Sequence, residues 1–275
     1  VRPSLALLAV AVAASPAAAQ TQLRFRWQPG QAHTFAVRQT TTVTETAPPP
    51  GGGKPATAVT TVKLALTRKW AVTAVDAAGT ATLDMSILAL RQEIVRGGET
   101  LVKDSAVPAD AAEMGDYLHK PILTAKVDPL GRVTEAKGPA GDGAATRLQT
   151  ELPFRVVLPE AAVAANGTWE RPFAVRLDPP AGTGESHDAK QTFTFRGLAD
   201  GRAVIGVTTE LAKPPSAAAD LQPLLPWLWA GEVYLDPQAG AYLGAKLNVK
   251  RELPNHAGAG TRFAFESEYT ETPAK

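Results

Sequence analysis

Over residues 58–75 apolar and polar side chains alternate. Val62, Leu64, Leu66, Trp70 and Val72 fall on one face, and Lys63, Thr67, Lys69 and Thr73 on the other. A period of two sends successive side chains to opposite sides of a strand, whereas a helix repeats about every 3.6 residues. Eighteen residues at about 3.3 Å each would run for roughly 60 Å. Strands of that length must coil, bend or break, which favours a strongly curved antiparallel sheet.

The pattern continues beyond a turn. Asp76-Ala77-Ala78-Gly79 supplies turn chemistry, and Leu83, Met85 and Ile87 then alternate with Asp84 and Ser86. At Ile87–Leu88 the parity switches and runs on through Leu90, which is what a β-bulge does. Near the C-terminus, residues 232–236 lead through Pro237-Gln238-Ala239-Gly240 into a second long alternation. Ala241, Leu243, Ala245, Leu247, Val249 and Leu253 oppose Tyr242, Lys246, Asn248, Lys250 and Glu252. After a loop at 254–260, Phe263, Phe265 and Tyr269 alternate with Arg262, Glu266 and Glu268. Pairing Leu253 with Thr261 would set Lys246 against Glu268 and Asn248 against Glu266 on a wet face.

Helices are few. Residues 108–120 form the best candidate, with Ala111, Met114 and Leu118 on one face, Asp110 and Glu113 early and Pro121 as a stop. Shorter helices are expected over 143–151 and from Ser216 to just before Pro223, and residues 47–53 read as a hairpin loop. The fold class is therefore all-β with minor α: long curved antiparallel strands forming a half-barrel or a flattened barrel, with one to three short helices.

Four landmarks recur in the same order. Phe35-Ala36-Val37-Arg38 returns as Phe173-Ala174-Val175-Arg176, each after a turn glycine, Gly30 or Gly167. Each is followed by an Asp–Gly turn, at 76–79 and at 200–201, and then by an Asp-Pro hairpin, at 127–132 and at 235–240. Two related β-meanders are expected, over 20–137 and 166–275, joined by a connector at 138–165. They form either two units or one continuous domain over 20–275.

Residues 1–19 carry a short basic start with Arg2, an apolar stretch from Leu5 to Ala14 and an Ala17-x-Ala19 site. This is the layout of a secretory signal peptide cleaved after Ala19, and its apolar run is shorter than the roughly 20 residues that span a bilayer. No later run is long and apolar enough for a spanning helix. The chain has 28 Lys+Arg, 27 Asp+Glu and no Cys. Removing Arg2 leaves 27 bases against 27 acids, so no global field would draw nucleic acid or anionic lipid. Without cysteine there are no disulfides, thiolate metal sites or cysteine nucleophiles.

The motifs of the common chemistries are missing. There is no nucleophile elbow, zinc helix, phosphate loop or dinucleotide fingerprint. Gly51-Gly52-Gly53-Lys54-Pro55 has the wrong spacing for a phosphate loop, and Glu185-Ser186-His187-Asp188 lies beside a glycine-rich turn and reads as solvated. No catalytic residue, metal or cofactor is indicated. The most apolar later segment is Leu224-Leu225-Pro226-Trp227-Leu228-Trp229. Trp70, Met114, Leu118, Trp227, Trp229 and Tyr234 are therefore the candidate lining of an apolar cavity.

A leader, a turn glycine ahead of each Phe-Ala-Val-Arg strand entry, repeated Asp–Gly hairpins and a closing Asp-Pro hairpin resemble bacterial exported β-proteins of unknown function. The architecture is more distantly similar to periplasmic lipoprotein and lipid carriers, in which short helices cover a curved half-barrel. The resemblance implies no catalytic residue. The expectation is an exported, non-catalytic binding protein of the periplasm or cell envelope for an apolar ligand or an envelope protein. The alternatives are an envelope interaction module with a dry core and a hydrolase built from scattered carboxylates.

Overall fold

A computed structural model of the chain describes residues 20–49, 51, 53–138, 148 and 150–274. The expected leader at 1–19 and most of the helix expected at 143–151 lie outside these residues, although 148, 150 and 151 are helical. The long alternations become long strands: β1 (Ala32–Ala47), β2 (Ala56–Val75) and β3 (Ala81–Arg96). β4 (Glu99–Asp104), α1 (Pro108–Glu113), β5 (Pro121–Val127) and β6 (Val133–Lys137) complete the first half. The second half holds β7 (Thr168–Leu177), β8 (Glu185–Ala199), β9 (Arg202–Leu211), α2 (Ala218–Leu221), a 3-10 helix (Gln222–Trp227), β10 (Ala230–Asp236), β11 (Ala241–Pro254) and β12 (Arg262–Pro273).

All twelve strands form one antiparallel sheet in the order β6-β5-β3-β2-β1-β12-β11-β10-β9-β8-β7, with β4 beside the outer half of β3. The first and last strands pair at its centre, from Phe35↔Pro273 to Thr46↔Arg262. The sheet is open. Its free edges, β6 and β7, are not paired with each other, so the flattened barrel is not the outcome.

Local chemistry explains the turns and bends. Asp76 Oδ1 accepts from the backbone N–H groups of Ala78 and Thr80 at 2.9 Å, and Gly79 has φ +83°. The parity switch at Ile87–Leu88 is a bulge: Thr67 pairs with Ala89 and Arg68 with Ile87, which leaves Leu88 extra. A second bulge was not anticipated. Tyr234 pairs with Gly244 and Leu235 with Tyr242, so Leu243 is extra. Gly244, at φ +128°, bends the strand there. Tyr242 thus turns inward and is buried, where simple alternation put it outside. The β11–β12 register is also two residues from the expected one: Lys246 faces Thr270, Asn248 faces Glu268 and Lys250 faces Glu266. The ladder reaches only Pro254↔Arg262, and the Asn255 N–H closes the loop on the Thr261 carbonyl at 2.7 Å.

The helix expected at 108–120 stops at Glu113. Met114 (φ −91°, ψ 3°) leaves the helical region, Leu118 is drawn into a bridge with Ile87 of β3, and Pro121 opens β5. The helix after Ser216 begins at Ala218 and tightens into the 3-10 turn through Pro223.

The concave face is filled largely by segments that are not strands. Residues 20–31 contribute Leu23, Phe25 and Trp27, and residues 152–158 contribute Leu152, Phe154, Val156 and Leu158, all buried in one core. Phe154 lies 5.2–5.8 Å from the rings of Phe25, Trp27, Trp70 and Tyr242. The strap at 150–163 spans the gap between the free edges. The Leu158 N–H donates to the Leu130 carbonyl beside β6 at 2.7 Å, and Trp169 Nε1 of β7 donates to the Val157 carbonyl at 2.6 Å. Residues 20–31 close one end of the sheet, where the Phe25 and Arg26 N–H groups donate to Pro129 and Gly240 of the two Asp-Pro hairpins. Gly131 (φ +83°) is required there, because a Cβ would come within 2.7 Å of the Phe25 ring and 2.8 Å of the Val156 carbonyl.

His33 sits in this closed end, edge-on to Trp27, with its Nε2 buried and without a hydrogen-bond partner. Burial lowers its pKa from the ordinary 6.5. Below pH 6.5 the unfolded chain therefore takes up a proton that the folded chain refuses, and stability falls as the pH drops from there towards the lowered value. Thermal melts from pH 8 to pH 5 should show this decline, and His33→Leu should flatten it. Identical slopes for the two proteins would refute it.

Candidate functional site

The end opposite the Asp-Pro hairpins is open. By strand direction, the β1–β2 hairpin, the β7–β8 turn, the β9–β10 connection and the β11–β12 loop all gather there. They enclose a cleft of about 950 Å³. One wall is sheet: Val43 of β1 stands directly opposite Phe265 of β12, with Phe263 beyond. The other wall is the connection at 212–229. Its Leu224 and Leu225 are fully buried and seat it in the core, while Pro214, Pro215, Ala219, Pro223 and Pro226 face the cleft. Proline has no N–H, so this wall offers few donors and suits an apolar surface.

The charged groups lie around the apolar walls: Glu45, Glu185, His187, Lys213 and Asp220. Glu185 Oε2 accepts from the Thr183 N–H at 2.6 Å and from its hydroxyl at 2.9 Å. A bond from its own backbone N–H, then these two from Thr183 and a smaller pull from His187, hold its carboxyl below the ordinary carboxylate range. The Ala212 N–H donates to the Asp188 carbonyl at 2.8 Å and ties the connection to β8. His187 of the Glu-Ser-His-Asp run thus borders the cleft, and no group of three metal-ligating side chains occurs among the described residues.

The six residues singled out from the sequence are not brought together. Trp70 is fully buried in the aromatic cluster. Leu118 packs on β3, and Met114 is half-buried at the end of α1. Trp227 and Trp229 share a crevice of only about 20 Å³ with Arg155, Gln191 and Leu247. Tyr234 lies on the outer face between inward Val233 and Leu235, and its hydroxyl donates to Glu232 at 2.6 Å. Burial, and then that bond, raise its pKa to about 12. None of the six lines the end cleft. The sequence reading missed the cleft; the prolines at 214, 215, 223 and 226 around the Leu-Leu-Pro-Trp run were the local feature that could have drawn attention to it.

The interior also holds a polar cluster that alternation alone did not reveal. Arg68 of β2 donates from Nε (2.8 Å) and Nη2 (2.5 Å) to Glu271 Oε1. Tyr242 and Tyr269 each donate to Glu271 Oε2 at 2.8 Å. Arg68 also reaches the Pro153 carbonyl of the strap, and the Arg155 guanidinium lies 4.6 Å over the Tyr269 ring. Burial, reinforced by the Glu271 carboxylate, pushes the Tyr242 phenol well above its ordinary pKa, so it remains a donor. The Glu271 carboxylate is fully enclosed by these partners. The cluster fastens the strap to β2, β11 and β12, across the intervening β1.

No helix among the described residues is long and apolar enough to cross a membrane. No family model and no curated protein matches the chain. Among solved structures, one titled for lipid–protein interactions in lipovitellin is similar over 90% of this chain, at 12% identity and a TM-score of 0.50. The match spans 25% of that longer chain. DynF, from the dynemicin biosynthesis pathway of Micromonospora chersina, aligns over 97% of this chain and 92% of its own at 11% identity, but with a TM-score of 0.21. At these identities the likeness to lipovitellin is one of fold: a large open antiparallel sheet.

Proposed function

We propose that the chain is an exported, non-catalytic binding protein of the periplasm or cell envelope, and that it holds an apolar ligand in the end cleft. The observation that carries this reading is the cleft itself. Its volume of about 950 Å³ suits a small-molecule site, and its wall is phenylalanine, valine and proline with polar groups set around it. The likeness to lipovitellin, whose structure is titled for its interactions with lipid, supports the same ligand class. The leader-like residues 1–19 and the absence of cysteine support export.

A second reading rests on a different observation. The closed end of the concave face is packed with the chain's own rings, Phe25, Trp27, Phe35, Trp70, Phe154 and Tyr242, as in an interaction module with a dry core. In that reading the cleft is only the unfilled end of the sheet.

The two separate in one experiment. The full chain, expressed with export and examined by native mass spectrometry, should begin at Gln20 and carry an added mass that solvent extraction removes. Val43→Glu, at a cleft residue that is only partly buried, should lose that mass while the protein stays folded. A clean apo mass, together with failure to bind a lipophilic fluorophore, would leave the interaction module. An unprocessed N-terminus would overturn export.

A further inference from the structure

We propose that the cleft takes an amphipath with a cationic head, an amine or quaternary ammonium joined to an apolar body. This rests on the reading of the cleft as a ligand site and names its ligand class. Three carboxylates from three elements border the cleft: Glu45 on β1, Glu185 at the start of β8 and Asp220 on α2. Against them stand one ammonium, Lys213, and one imidazole, His187. None of the three carboxylates forms a salt bridge within 4 Å among the described residues. Elsewhere Glu93, Glu135, Glu170, Glu232, Glu252 and Glu266 each hold a lysine or arginine, whereas Glu210 and Glu268 of the outer face form no such pair among the described residues. The bias of the hollow comes from its own lining: three carboxylates against one ammonium and one imidazole around an apolar wall.

The geometry suits a head and a body. Glu45 lies two residues beyond Val43 on β1, and Phe263 and Phe265 face the same space from β12. An apolar group against Val43, Phe265 and the prolines would leave its head among Glu45, Asp220 and Glu185. Aromatic rings in the wall add to the attraction for a cation. The opposing feature is Arg251, opposite Phe265 on β11, which with Lys213 would receive an anionic head.

The test compares dodecyltrimethylammonium, dodecyl sulfate and dodecyl maltoside, each below its micelle concentration. Calorimetry on the full chain at pH 8 and low salt would read the three affinities. The cation should bind about tenfold or more tighter than the anion, and the gap should narrow in 0.5 M salt as screening sets in. The double variant Glu45→Gln, Asp220→Asn should bring the two affinities together while leaving the maltoside unchanged. Equal or tighter binding of dodecyl sulfate would overturn the cationic assignment and leave the apolar site standing. Binding of none of the three would overturn both.

Discussion

Glu271→Ala should lower the unfolding free energy by about 3–5 kcal/mol, because it strands a buried arginine. Arg68 has only 15% of its side chain exposed, and its principal partner is the Glu271 carboxylate. The same change removes the acceptor of both Tyr242 and Tyr269. For a domain of this size the melting temperature should fall on the order of 10 °C. Replacing the pair together, as Arg68→Met with Glu271→Leu, should recover part of the loss, since an apolar pair needs no desolvation of charge. The recovery stays partial until Tyr242→Phe and Tyr269→Phe remove the orphaned hydroxyls. A Glu271→Ala protein melting within about 2 °C of the wild type would show that the cluster holds nothing together; a loss so small corresponds to less than about 1 kcal/mol.

Phe154→Ala addresses the strap. The ring is 1% exposed and touches four other aromatic rings. Truncating a buried phenylalanine costs about 3–5 kcal/mol, part of it for the cavity left behind. The strap holds the two free edges at a fixed distance, so the damage should extend beyond the ring. Amides of Leu158 and of the β7 strand should exchange faster in deuterium-exchange measurements. A loss below about 1 kcal/mol, far short of what a buried ring contributes, would mean that the strap does not fill the interior in solution.

Much of the sheet was legible from alternation because inward faces repeat every second residue. Even the Leu88 bulge was visible as a change of parity. The buried ion pair was not read from alternation, although its two members sit on inward positions. Arg68 falls on the inward parity of β2 between Leu66 and Trp70, and Glu271 falls on that of β12 after Tyr269. Each alone reads as an exception on an apolar face. They become partners only when β1 is known to lie between their strands, with Val37 opposite both Leu66 and Glu271. That pairing joins the two ends of the chain, and no local pattern encodes it. Tyr242 was misplaced for a local reason: a residue such as Leu243 can alternate in sequence and still be the extra residue of a bulge. The cleft was hidden because it is built from loops whose meeting depends on the whole topology. The tryptophans drew attention ahead of the prolines; Trp70 and Trp229 are buried in the core and Trp227 packs against it half-buried.

The pairing of the first strand with the last also has a kinetic side. Val37 finds Glu271, and Thr46 finds Arg262, only after more than two hundred residues have emerged between them. Contacts so distant in sequence make folding slow, and a nascent chain holds unpaired strand edges while it waits. The centre of the sheet cannot be completed until the final strand is present. The export proposed above would gain from this order of events, because the architecture delays the native state until β12 arrives.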